Sequence, residues 1–371
     1  MNEVSAATLA PTVAWGAFAL AFVFGIVAQR SNFCTMGAVS DIVNIGDWTR
    51  MRMWLMAIAV AILGTQALQF TGLIDLTKSI YLGSKVTILS GVAGGLAFGF
   101  GMTLASGCGS KTLLRVGSGN LKSLVVLVVL GISAYMTLKG LFGVWRTALL
   151  DPVVLTLAGP QDLGALWSRT LGIDLAAARI GVTLVATVVI IGFCLSHRDF
   201  RSAEPFVSSV VIGAIIVGGW YVSGHLGYLA EDPKTLEEAF AGTNSGRMES
   251  LSFVAPVAYT LELLMMWSDK SRIVTFGVAA ALGVVAGSFA YSVATRTFRL
   301  EGFRDAEDTA NHIVGGVLMG FGGVTGLGCT VGQGLTGIST LAFGSIVTVL
   351  SIIAGSVLAF RYQYWRLENS D

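Results

Sequence analysis

Three of the four cysteines stand in similar surroundings, where an apolar run gives way to small and polar residues. The segments read QRSNFCTMGA around Cys34, SGCGSKTLLR around Cys108 and GLGCTVGQGL around Cys329. A break of this kind frees backbone N–H groups at the start of the next helix, which carries a partial positive charge. Anions are favoured there, and a thiol adds a weak, soft hydrogen-bond donor. The three motifs therefore predict sites for a soft, sulfur-bearing anion.

The residues beside these cysteines complete a candidate substrate path. Threonine and serine follow the cysteines directly or after one glycine, and we expect them to cap the new helices. Asn32 and Gln333 are polar side chains close to the cysteines, which favours contact with the substrate. Besides Cys34, Cys108 and Cys329, the predicted path comprises Asn32, Thr35, Gly107, Gly109, Ser110, Gly328, Thr330 and Gln333.

The chemistry expected of the three thiols is transfer of the anion without a covalent intermediate. A thiolate would repel an anion, so we expect the thiols to stay protonated, since apolar burial disfavours the charged form. A sulfur-bearing dianion could then pass from thiol to thiol through S–H···S contacts. One alternative is a membrane thiol oxidoreductase or sulfurtransferase with nucleophilic cysteines, which predicts a CxxC motif. Another is a membrane scaffold for a sulfur-carrier complex.

The remaining titratable residues have plainer interpretations. Cys194 lacks flanking glycines, so we interpret it as a packing residue. The three histidines are too scattered to predict a metal site, no Walker motif indicates ATP use, and we expect no cofactor. Glu262 lies in an apolar stretch, where a structural ion pair is expected and proton coupling is the alternative.

The composition predicts an integral membrane protein. Hydrophobic residues make up 54% of the 371 residues and charged residues only 12%, against about 25% charged in soluble domains. The net charge of +1 and the lack of a basic stripe exclude a nucleic-acid-binding surface. Because a span needs about 20 mostly apolar residues, we predict an all-α polytopic fold with nine spans, near 12–29, 51–70, 86–106, 122–140, 178–196, 206–224, 273–294, 311–328 and 341–360. The shorter run 253–267 is predicted to be a half-helix that does not cross.

An internal repeat appears when the sequence is shifted by about 221 residues. Residues 94–101 then fall on 315–322, and Gly107-Cys108 falls on Gly328-Cys329 without a gap. Nine spans place the two Gly-Cys motifs on helices of opposite direction, as an inverted repeat requires. Duplicated halves with interrupted helices are typical of transporters whose substrate site lies near the bilayer midplane. We therefore predict one transmembrane domain over 1–371 with halves of about 1–177 and 178–371.

The distribution of lysine and arginine indicates that the amino terminus lies outside the cell. The segments 141–177 and 225–252 are mixed in polarity and contain turn signals, so we expect them at the outer surface.

Three longer segments resemble the signature segments of the YeeE/YedE family of sulfur transporters: QRSNFCTMGA, GMTLASGCGSKTLLRVGSGN and MGFGGVTGLGCTVGQGLTGIS. The resemblance implies a non-enzymatic, multi-pass protein of the bacterial inner membrane that takes up thiosulfate or a related sulfur anion; selenium compounds remain an alternative. It implies nine spanning helices plus short re-entrant helices in two inverted halves. Cys34, Cys108 and Cys329 would correspond to the relay cysteines of a central path. The implied partner is a TusA-like cytoplasmic sulfur carrier, which we expect to be a separate polypeptide.

Overall fold

The computed structural model describes residues 5–233 and 235–369, and these residues are mainly helical. In chain order the helices are α1 (Ala6–Arg30), α2 (Thr35–Ile45), α3 (Thr49–Phe70), α4 (Ile88–Leu104), α5 (Gly109–Gly117), α6 (Leu121–Lys139), α7 (Leu141–Trp145), α8 (Leu163–Leu171), α9 (Leu175–Leu195), α10 (Ala203–Tyr221), α11 (Ala255–Met265), α12 (Phe276–Ala294), α13 (Ala306–Thr325) and α14 (Phe343–Glu368). Two short antiparallel ladders join β1 (Lys85–Val86) to β2 (Leu155–Thr156) and β3 (Tyr228–Leu229) to β4 (Ala239–Phe240).

Long helices coincide with all nine predicted spans. Within the described ranges, eight helical segments are long and apolar enough to cross a membrane. The ninth predicted span, 311–328, falls on α13, whose first turn carries Glu307 and Asp308 and is therefore less apolar. Helix α13 nevertheless packs along both α4 and α6, inside the bundle. The predicted all-α polytopic membrane fold is confirmed.

Short helices supplement the long ones, as predicted. Helices α2 and α11 have 11 residues each, which is about 16 Å at 1.5 Å per residue and too short for a hydrocarbon core of about 30 Å. The predicted half-helix at 253–267 is α11. The segment 141–177 holds α7, β2 and α8, and the segment 225–252 holds the β3–β4 ladder.

Glycines bring α4 and α13 into backbone contact with opposite chain directions. A Cβ atom at Gly94 would lie 2.5 Å from the backbone nitrogen of Gly326, and one at Gly315 would lie 2.6 Å from the carbonyl oxygen of Gly101. The early part of α4 therefore meets the end of α13. Close approach through small residues is how membrane helices gain packing energy without a hydrophobic driving force.

The order of elements in the first part of the chain recurs in the second. Helices α2, α3, α4 and α6 are followed about 220 residues later by α11, α12, α13 and α14. The π-helical turn Gly332–Gly337 takes the place that α5 has between α4 and α6. This recurrence supports the repeat, while the boundary near residue 177 stays a prediction.

The same local geometry interrupts the chain before each motif cysteine. The residue two positions before the cysteine has a left-handed backbone, with φ of 51° at Asn32, 56° at Ser106 and 58° at Leu327. The next backbone N–H then donates to a carbonyl five residues earlier, at 3.1 Å for Phe33, 2.8 Å for Gly107 and 2.8 Å for Gly328. This bond of the Schellman type ends the helix, so the cysteine that follows stands at the start of a new one.

The contact between α4 and α14 can be tested at Gly99. A Cβ atom there would collide with the carbonyl oxygen of Ile352, and backbone atoms cannot move aside as a flexible side chain can. We expect Gly99→Ala to destabilise the protein by about 1–3 kcal/mol, measured by thermal unfolding in detergent. Gly192→Ala on α9 is the control, because nothing lies within 4 Å of its added Cβ. Equal unfolding temperatures for the two variants would contradict this packing.

The left-handed backbone at Leu327 gives a second test. A left-handed conformation costs a residue with a side chain about 1–2 kcal/mol, and Leu327 is 51% exposed. Leu327→Gly should therefore unfold at the wild-type temperature or higher. Leu341 is also left-handed, with φ of 59°, but it is 4% exposed, so Leu341→Gly should lose about 2–5 kcal/mol of packing. If Leu327→Gly proves as destabilising as Leu341→Gly, the strain assigned here is wrong.

Candidate functional site

The three motif cysteines occupy helix-start positions and are buried, with exposed fractions of 5%, 1% and 0% for Cys34, Cys108 and Cys329. The backbone N–H of Gly37 donates to Cys34 Sγ at 3.5 Å, and that of Gly332 donates to Cys329 Sγ at 3.4 Å. Two of the three sulfurs thus accept a hydrogen bond from the first turn of the following helix, and their own S–H groups remain available as donors.

The expectation that Thr35, Ser110 and Thr330 cap these helices is wrong. Thr35 and Thr330 are the first helical residues, and Ser110 is the second residue of α5. The cysteines hold the cap position because the preceding break leaves them in extended backbone, as at Cys34 with φ of −158° and ψ of 126°. Ser110 turns its hydroxyl to the neighbouring thiol, with 3.3 Å between Ser110 Oγ and Cys108 Sγ.

The fold brings the three motifs together in the middle of the bundle. The side chains of Cys34 and Cys108 lie within hydrogen-bonding reach of each other. The Thr330 side chain also reaches Cys108, and Cys329 lies close enough to Cys108 for electrostatic interaction. The order in space is therefore Cys34, Cys108, Cys329, with Cys108 central.

A cavity of about 620 Å³ opens beside Cys34, and we call it the basic cavity. Asn32, Gly37 and Ser106 line it close to the thiol. Its wall also carries six basic side chains and two carboxylates, namely Arg50, Lys111, Arg115, Lys122, Arg299 and Arg304 with Glu301 and Asp308. Such a surface attracts anions.

A second cavity of about 180 Å³ lies at the other end of α12, and we call it the connector cavity because residues of the connector 228–254 line it. Phe276, the first residue of α12, lines this cavity, whereas Thr297, just past its last residue, lines the basic cavity. The connector cavity ends at Leu327 and Gly328, directly before Cys329. The three cysteines thus stand between two cavities at opposite ends of the bundle.

The two predicted polar contacts lie apart. Asn32 is in the basic cavity, where its Oδ1 accepts a hydrogen bond from Lys111 Nζ at 3.3 Å. Gln333 is buried beyond Cys329, and its Nε2 donates to the carbonyl of Gly326 at 2.6 Å. Gln333 Oε1 has no partner among the described residues and faces a small cavity of about 50 Å³ that shares Tyr81 and Leu327 with the connector cavity.

The glycines of the predicted path lie at the breaks. Gly107 and Gly328 make the hydrogen bonds that end α4 and α13. Gly109 begins α5, and a Cβ atom there would lie 3.8 Å from Val254 Cγ2 and 3.9 Å from Phe253 Cβ. Sequence reasoning missed Val254. A shift of 220 residues aligns Phe33-Cys34 with Phe253-Val254, and this alignment was the signal that could have found it.

Two secondary interpretations are confirmed. Cys194 is fully buried away from the path, and its Sγ donates to the carbonyl of Arg52 at 3.4 Å. Glu262 is ion-paired, at 3.2 Å from Lys139 Nζ and 3.2 Å from Arg272 Nη1. Neither residue shares the geometry of the three motif cysteines.

Comparison with known proteins agrees with this geometry. A family described as sulphur transport matches residues 30–358. The thiosulfate transporter TsuA of Escherichia coli (strain K12) is 28% identical over 345 residues, which covers 89% of this chain and 89% of that protein. The thiosulfate transporter TsuA of Spirochaeta thermophila is 24% identical over 347 residues, covering 92% of this chain and 96% of that protein. Both relatives are named as transporters rather than enzymes. Since the family match spans most of its length, this multi-pass membrane protein belongs to the sulphur transport family, as its three cysteine motifs predicted.

Proposed function

We propose that this protein carries thiosulfate, or a closely related small sulfur anion, across the bacterial inner membrane. The observation that carries the proposal is the placement of Cys34, Cys108 and Cys329 between the two cavities. A path from the connector cavity would meet Cys329 first, then Cys108 and finally Cys34. The thiosulfate transporters named above, which align over most of the chain, support this substrate class.

The environment of the thiols suits a soft anion that carries its charge on oxygen and on a terminal sulfur. Backbone N–H groups hold two of the cysteine sulfurs as acceptors, which directs each S–H toward a passing ligand. A thiol is a weak donor, so the anion can leave each cysteine for the next. No bond to sulfur forms and no electrons move in this relay, so it needs no cofactor or redox partner.

The charges on the two sides set the direction. The basic cavity holds six basic side chains, of which Lys122 pairs with Asp308 at 2.6 Å. An excess of lysine and arginine marks the cytoplasmic side of membrane proteins. We therefore assign the basic cavity to the cytoplasm and the connector cavity to the outside. A separate TusA-like sulfur carrier would then collect the anion at the basic cavity.

Cysteine substitution tests the relay. In a bacterial strain whose growth on thiosulfate depends on this protein, Cys34→Ser, Cys108→Ser and Cys329→Ser should each reduce initial thiosulfate uptake at least about tenfold. That loss corresponds to about 1.4 kcal/mol, a small energy for replacing a soft contact in a continuous path. Cys194→Ser is the matched control, because this cysteine is buried away from the path.

Growth and uptake of radiolabelled thiosulfate are measured together with the amount of protein in the membrane. Excess sulfate, which has the same charge but no terminal sulfur, should compete poorly. Near-wild-type uptake by all three motif variants would refute the relay, and loss of uptake in Cys194→Ser alone would refute the assignment of roles.

A further inference from the structure

The connector cavity contains a carboxyl group that has no ion pair. Glu249, near the end of the connector, lines this cavity together with Tyr81 and Tyr259. Its Oε2 accepts a hydrogen bond from Ser245 Oγ at 3.3 Å, and the backbone N–H of Asn244 also donates to the carboxylate. Within residues 5–233 and 235–369, no ion pair within 4.0 Å includes Glu249.

The other charged groups of this region do not neutralise Glu249. Arg146 lines the cavity from the segment after α7, but its Nε is bound to Asp151 Oδ2 at 3.1 Å. Glu262 of α11 differs from Glu249 because two basic side chains hold it. The remaining titratable groups of the wall are the hydroxyls of Tyr81 and Tyr259. An ionised Glu249 would therefore place an uncompensated negative charge on the way to Gly328.

Protonation changes what this carboxyl can do. A carboxylate is only an acceptor and repels an anion, whereas a neutral carboxylic acid can donate a hydrogen bond to one. Burial raises the pKa of Glu249 to about 7, and the hydrogen bonds from Ser245 and Asn244 offset the shift only in part. Both forms are thus present near neutral pH.

We propose that Glu249 is a proton-binding site of the connector cavity and that the sulfur anion passes toward Cys329 when this carboxyl is protonated. The inference rests on the proposed function, since it concerns passage of the same anion. It assigns a proton as a second ligand of the path, held by the one unpaired carboxyl among the described residues that line the connector cavity. The proton comes from the outer solution, and no covalent bond is made or broken in the substrate.

The test uses purified protein in liposomes, with the same pH on both sides and radiolabelled thiosulfate outside. A group that titrates near pH 7 is about 90% protonated at pH 6 and about 10% at pH 8. Thiosulfate keeps its two charges over this range. We expect the initial rate of the wild type to fall about five- to tenfold from pH 6 to pH 8. Glu249→Gln, which is always neutral and can donate, should transport at a rate that changes less than about twofold.

Three further variants make the result specific. Glu249→Ala should also be insensitive to pH, and it does not depend on how the amide of glutamine packs. Glu249→Asp should keep the pH dependence, because it retains a carboxyl. Glu238→Gln, in the same connector but paired with Lys78, should behave as the wild type.

The outcomes separate the two proposals. A wild-type rate that is flat between pH 6 and pH 8 overturns the role of Glu249, and so does a wild-type pH profile in both Glu249→Gln and Glu249→Ala. Folded Glu249 variants that transport nothing at any pH also overturn it, because a neutral side chain should permit passage. Absence of thiosulfate uptake by the wild type at every pH would instead refute the proposed function itself.

Discussion

The structure depends on one constraint: a helix broken inside a membrane must satisfy its freed backbone groups within the protein. Helices α1, α4 and α13 each stop at a left-handed residue, and a hydrogen bond from the next N–H closes the end of each. Cys34 Sγ and Cys329 Sγ take up first-turn N–H groups on the other side of the break. Each break is thereby a stable element, although it lies among apolar helices.

The glycines make this arrangement possible. At Gly94, Gly101 and Gly315 the backbones of α4 and α13 touch directly, and a methyl group at any of these positions would collide with the partner helix. The close contact keeps lipid away from the breaks and holds their ends against each other. The high glycine content of an otherwise apolar chain is therefore a packing requirement, and the cysteines are positioned as a result of it.

The two related parts of the chain are not equivalent at the path. Cys108 and Cys329 correspond under the repeat, but the position that corresponds to Cys34 carries Val254. The breaks also differ in the side chain they present, since Ser106 lines the basic cavity and Leu327 the connector cavity. Unlike residues at matching positions give the two ends of the path different chemistry, with basic groups at one end and tyrosines with a single unpaired carboxyl at the other. A directional transporter needs such a difference, and a symmetric pair of halves would not supply it.

The sequence by itself determined the long helices, the three breaks and the identity of the motif cysteines. Runs of about 20 apolar residues, glycine clusters and Gly-Cys pairs are local signals, because span length and helix interruption are decided by neighbouring residues. Only the tertiary structure decided that the cysteines themselves occupy the cap positions, since this depends on the backbone angle at the end of the preceding helix. It also decided that Asn32 and Gln333 lie on different sides of the thiols, and that Glu249 of the polar connector lines a cavity that ends beside Cys329. These are contacts between segments far apart in the chain, and spacing along a single sequence carries no record of which distant segment covers a given side chain.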